Sequence, residues 1–194
     1  MKKLFLGAAI AVSSLSFAQQ FGIKGGMNVS SLSGNILTSE PKSKIGFYAG
    51  AFVNVPVAES FSVQPEVLYS NQGAKATVLN NDVKLNMDYI NVPVMFQYNA
   101  TPEFYLEAGP QFGFLVNTKL DTGNSTANTL LNALNSKDNY NAFDFGLGLG
   151  AGYYFTQNIG ITARYVAGFT DIRKNNSGDA VKNNNLQVGL AFKF

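Results

Sequence analysis

Six charged side chains stand out by position. Lys24, Glu66, Glu107, Asp144, Arg164 and Lys193 each fall inside a segment that otherwise alternates apolar residues with small or polar ones. Two carboxylates held near one another, such as Glu66 and Glu107, are the pattern that acid–base hydrolysis of glycosides needs. Three acids and three bases could equally form a proton path, or pair as a structural plug. An isolated buried charge is very costly, so pairing is expected, with Arg164 bonded to Glu66 or Glu107. The chain has no His and no Cys. That excludes Ser-His-Asp hydrolysis, thiol catalysis and most zinc sites. The glycines at 146, 148, 150 and 152 lack the G-x-G-x-x-G spacing of a dinucleotide loop, and no helical pattern follows them. No enzymatic activity, cofactor or metal is expected, and the six charges read as a structural lumen cluster.

Eight alternating segments position these groups: residues 21–30, 44–55, 61–71, 85–98, 104–117, 143–155, 159–170 and 186–194. Successive side chains of a strand point to opposite faces, so each segment has one greasy face and one small or polar face. All six charges lie on the second face. Asp88 breaks this parity, near the start of its segment. The glycines of the polar face alternate with Tyr48, Phe52, Tyr89, Tyr105 and Tyr154, as a narrow lumen filled by side chains requires. The connections read as long, short, long, short, long, short, long. Alternate connections of an antiparallel meander share one end, so the short ones lie with both termini. That is the pattern of membrane barrels with short periplasmic turns and long extracellular loops.

A secreted soluble barrel or sandwich also uses eight alternating strands. It would leave the four-glycine row of 146–152 facing water without a reason, and would give the whole sheet only a handful of solvent-facing charges. The expected fold is therefore all-β: an eight-stranded antiparallel up-and-down transmembrane β-barrel. The last segment, 186–194, should pair with the first to close it. Its final Phe194, with Phe192 two residues earlier, resembles the C-terminal assembly signal read by the barrel-assembly machinery.

Residues 1–18 read as a signal peptide: Lys2 and Lys3, an apolar core from Leu4 to Val12, and Ser16-Phe17-Ala18 before Gln19. The barrel domain is then 19–194. Setting aside Lys2 and Lys3, the 14 Lys and Arg become 12 and match the 12 Asp and Glu. A neutral mature chain gives no argument for nucleic-acid binding. In the long connection 118–141, Ala127, Leu130, Leu131 and Leu134 have the spacing of a short amphipathic helix.

At Asp88-Tyr-Ile-Asn-Val-Pro-Val-Met-Phe-Gln-Tyr98 the chain resembles the PorT-like family of outer-membrane β-barrel proteins, which are eight-stranded OmpA/OmpX-like barrels. The likeness continues through residues 105–115, 145–154 and 161–170. It implies a barrel in the outer membrane of a Gram-negative cell and transfers no functional residues. Pro93 and Pro110 each remove a ladder donor, so bulges or missing hydrogen bonds should accompany them. The expected role is structural or surface-interacting, through Asn/Ser/Thr-rich extracellular loops that suit polysaccharide or protein. Outer-membrane lipid surrounds the wall. The alternatives are a narrow pore for small solutes and a component of a protein-secretion apparatus.

Overall fold

The computed structural model describes residues 19–33, 42–78, 81–122, 137–174 and 180–194. The signal segment and Ala127, Leu130, Leu131 and Leu134 lie outside them. Eight strands run in order: β1 (Gln20–Ser33), β2 (Lys42–Ala58), β3 (Phe61–Val78), β4 (Asn81–Asn99), β5 (Phe104–Asp121), β6 (Phe143–Tyr154), β7 (Ile159–Gly168) and β8 (Lys182–Lys193). Each pairs antiparallel with its neighbours, and β1 pairs with β8, so the sheet is a closed barrel. Closure leaves no unpaired edge, the condition for strands to cross a bilayer.

The alternation sorts the two faces as the charge parity implies. Met27, Ile45, Phe96, Leu149 and Leu190 are among the large apolar residues exposed on the outer wall. Lys24, Glu66, Glu107 and Arg164 are buried in the lumen. An exterior this apolar would be a liability in water and is an asset in lipid.

The short turns share one end with the termini. In the turn after β4, the Thr101 hydroxyl accepts from the amides of Glu103 (3.2 Å) and Phe104 (3.0 Å). After β6, Thr156 accepts from Asn158 (3.3 Å) and Ile159 (2.9 Å). The repeated device reverses the chain within a few residues by satisfying two amides locally. The backbone amide of Lys193 donates to the Asn158 carbonyl, and that of Phe194 to the Phe21 carbonyl. These bonds tie the chain end to the periplasmic rim.

One expectation is corrected here. Residues 72–84 are not a long connection: β3 runs on to Val78 and β4 begins at Asn81. The loops therefore do not alternate strictly in length. Above the lipid both faces of a hairpin can be wet, so a polar sequence does not end the ladder. The pairing of β2 with β3 shifts register between Ser43 and Tyr48, opposite Gly73, which takes φ of 132°. Only glycine adopts that conformation cheaply.

The two prolines interrupt pairing without shifting it. The β3–β4 ladder skips from Pro65↔Val94 to Leu68↔Asn91, and the β4–β5 ladder skips from Pro93↔Gln111 to Phe96↔Ala108. The true register shift of β5 lies higher, between Asp88 and Tyr89 of β4.

The closing seam is tight. Gly26 faces Gly189 across β1 and β8, and a Cβ on Gly26 would sit 2.2 Å from the Val188 carbonyl oxygen. A side chain there must push backbone, so Gly26→Ala is expected to cost about 1–3 kcal/mol. Denaturant titration of the refolded barrel measures it. A cost near zero would show that the seam is looser than this geometry.

Candidate functional site: a filled and capped lumen

Four of the six lumen charges meet in one network at mid-barrel. The guanidinium of Arg164 on β7 forks onto Glu66 of β3: Nη1 donates to Oε2 (2.9 Å) and Nη2 to Oε1 (2.7 Å). Its Nε donates to Oε1 of Glu107 on β5 (2.7 Å). Lys24 of β1 donates to Glu66 Oε1 (2.8 Å). Two positive and two negative charges cancel, all at 5% exposure or less. Their remaining capacity is met by amides. Gln64 Nε2 donates to Glu66 Oε1 (2.8 Å), and Gln97 Nε2 to Glu107 Oε2 (3.0 Å). The Asn54 amide then donates to Gln97 Oε1 (2.7 Å) and Ser62 Oγ (3.1 Å). Bidentate, charge-assisted bonds of this kind are the strong class.

The other two charges sit elsewhere. Asp144 lies toward the extracellular end, where the Thr170 hydroxyl (2.6 Å) and Asn183 Nδ2 (3.2 Å) donate to it. Lys193 lies at the periplasmic mouth, with Nζ 3.9 Å from the ring centroid of Tyr154, a cation–π arrangement. Parity places a residue on a face and says nothing of its height, so one group of six becomes a network of four and two separate sites. Asp88 faces outward at the rim, where the amides of Asn71 (2.6 Å) and Asn117 (3.1 Å) donate to it and Lys44 bonds Asn71 in turn.

Large and small residues fill the rest of the lumen in complement. Gly22 leaves room for the Phe52 ring, and Gly152 for Tyr105: a Cβ on either would lie 2.2–2.3 Å from those rings. Phe52, Tyr105, Tyr154 and Ala191 pack together below the ion network. At the periplasmic end a vestibule of about 740 Å³ opens among Gln20, Asn54, Glu59, Asn99, Glu103 and Lys193.

Sequence reading missed the extracellular cap. Leu32, Ala74, Met87, Tyr89 and Leu115 on the strands pack with Ile172 and Val181, which follow β7 and precede β8. The cap is stitched by backbone bonds: Ile172 N to Val181 O (2.9 Å), Asn141 N to Ile172 O (2.9 Å) and Lys174 N to Asn139 O (3.1 Å). Asp171 Oδ1 accepts from the amides of Arg173 (3.0 Å) and Val181 (3.1 Å). Tyr140 packs against the cluster, and burial raises its hydroxyl pKa above the ordinary value, partly opposed by Arg173. Ile172 stands alone and Val181 follows only Ala180 in an Asn-rich stretch, and no periodicity marks them.

The arrangement closes the barrel twice, once with charge and once with grease. Among the described residues no three acidic side chains converge to hold a metal.

Residues 17–174 match the family model described as outer membrane protein beta-barrel domain. Among solved structures the chain is similar to Neisserial surface protein A, with a TM-score of 0.58 at 17% identity, over 90% of this chain and 97% of that one. It is also similar to Ail, the attachment invasion locus protein of Yersinia pestis, solved in complex with the heparin analogue sucrose octasulfate. There the TM-score is 0.52 at 16% identity, over 91% of this chain and 99% of that one. Likeness at such identities is one of fold alone. No curated protein matches the chain. With a closed eight-stranded wall, and a family match over most of its length, this chain belongs to the outer membrane protein beta-barrel domain family.

Proposed function

We propose that this protein is a closed outer-membrane anchor that presents its extracellular loops to a surface polysaccharide or protein partner, carries no solute and catalyses no reaction. One observation carries the reading: the lumen is filled at mid-barrel by the Arg164–Glu66–Glu107–Lys24 network, with Glu66 and Glu107 at 2% exposure and Arg164 at 3%. A conducting pore needs a wet path past these groups. Catalysis by the two carboxylates would need a substrate to reach them, and both are already committed to Arg164. In planar bilayers the refolded protein is expected to give no conductance above the bare membrane. Stable, reproducible channel steps would overturn the anchor role and favour the pore.

The polysaccharide partner has support on the outer rim. Lys42, Lys75 and Lys84 are direct cross-strand neighbours on β2, β3 and β4. Like charges side by side repel, so a polyanion lying across them would relieve that repulsion. Ail was solved with a polyanionic sugar analogue, which is the class of ligand this reading proposes here.

Export and assembly complete the proposal. Residues 1–18 are removed to leave Gln19 first, and Phe192 and Phe194 present the assembly signal. The narrower PorT-like kinship of residues 88–98 is part of the same reading; a place in a protein-secretion apparatus is an alternative to the anchor role. Phe194 stacks edge-on to Phe192 at 5.4 Å and contributes one ladder bond, to Phe21. Losing one exposed rim bond costs about 1 kcal/mol. Deleting Phe194 is therefore expected to lower the membrane level of the protein severalfold while the assembled fraction stays nearly as stable. Unchanged membrane levels would remove the signal role.

A further inference from the structure

At the periplasmic mouth one lumen charge is left over. The mid-barrel network balances two bases against two acids, and Asp144, the other unpaired member of the six, lies at the opposite end. Lys193 forms no ion pair among the described residues. What it touches is the Tyr154 ring, with Nζ 3.9 Å from the centroid. A ring face attracts a cation but supplies no acceptor atom. An ammonium carries three donors, and those of Lys193 are left to the vestibule of about 740 Å³ that it lines.

The vestibule is a cup with a closed floor and an acidic rim. Phe52, Tyr105, Tyr154 and Ala191 pack together to close the floor. Lys193 stands deep, level with Gly22 of β1, which is itself opposite Phe52 of β2. Glu59 and Glu103 line the same space from the short turns, just after β2 and just before β5. The Thr101 hydroxyl donates to Glu103 Oε2 (3.0 Å), which holds that carboxylate at the rim.

A ligand entering here meets two negative charges first and one positive charge below. Polyanions are repelled at the rim and simple cations at the floor. A zwitterion with its anionic end leading is attracted by both. The volume exceeds that of a single amino acid several-fold, and the side-chain amides of Gln20, Asn54, Asn99 and Gln157 are available along it for backbone groups. We propose that the vestibule binds the carboxyl end of a short periplasmic peptide, with the terminal carboxylate accepting from Lys193 Nζ and an ammonium group of the peptide held by Glu59 and Glu103. The closed floor makes this a docking site and not a route through the wall. A zwitterionic lipid headgroup has the same charges, but its chains lie against the outer wall, and it would have to reach over the rim.

The test uses the intact refolded barrel in neutral-detergent micelles and the tripeptide Lys-Ala-Ala with free termini. Saturable NMR shifts are expected at Lys193, Tyr154 and Asn54. The same peptide amidated at its carboxyl end is expected to bind about tenfold more weakly, as is the free peptide to Lys193→Gln. Lys193→Arg is expected to retain binding, and Glu59→Gln combined with Glu103→Gln to weaken it severalfold. The amidated peptide leaves the protein unaltered, so the comparison holds even if a variant assembles poorly. No saturable shift up to about 10 mM free peptide, or equal binding of the free and amidated forms, overturns the inference. Saturable shifts with a short-chain phosphatidylethanolamine and none with the peptide overturn it in favour of a lipid headgroup.

Discussion

Replacing Arg164 with methionine is expected to destabilise the barrel by about 3–5 kcal/mol, because it strands buried carboxylates rather than because it removes a bond. Arg164 supplies three of the bonds that neutralise Glu66 and Glu107. Without it, Lys24 alone faces two acids in a region closed to water. Arg164→Lys should recover only part of the loss, since an ammonium cannot fork across two carboxylates at once. Combining Arg164→Met with Glu107→Gln should cost less than Arg164→Met alone, because one stranded charge is removed with its partner. Guanidinium unfolding of the refolded protein in lipid reads all three. If Arg164→Met costs under about 1 kcal/mol, the acids find solvent, and the filled lumen on which the anchor role rests is lost with it.

The second large effect belongs to the outer wall. Val188 stands near the middle of β8, 45% exposed, opposite Met27 and Ala163. Val188→Arg is expected to cost about 2–4 kcal/mol in a bilayer, and the same change at Phe192 or Phe21, close to the periplasmic rim, about 0–1 kcal/mol. The depth dependence is the informative part. A wall facing water would tolerate arginine equally at all three positions, and equal small costs would contradict the lipid-facing assignment.

These predictions draw on different kinds of information. Val188→Arg needs only parity, which alternation shows directly: Leu186, Val188, Leu190 and Phe192 fall on every second position. Arg164→Met needs partners, and those come from 98 and 57 residues away. Parity places Arg164 inside with Glu66 and Glu107. That all three stand at one height, while Asp144 and Lys193 do not, depends on the stagger of strands around the barrel. Through 72–84 the β3–β4 hairpin runs on where the sequence predicts a loop, and the reason lies in its polarity. It ends the lipid contact and leaves the ladder intact.

By itself the sequence determined which side of the wall each residue takes where the strands cross the lipid, and from that the closed barrel, its apolar exterior and its charged interior. The reason is local: a strand's period of two acts between neighbours in the chain. Only the tertiary structure decided which interior groups meet, and that Ile172 and Val181 fold over the mouth. Those contacts cross the lumen between distant strands, so they follow from register and closure, which no short stretch of chain contains.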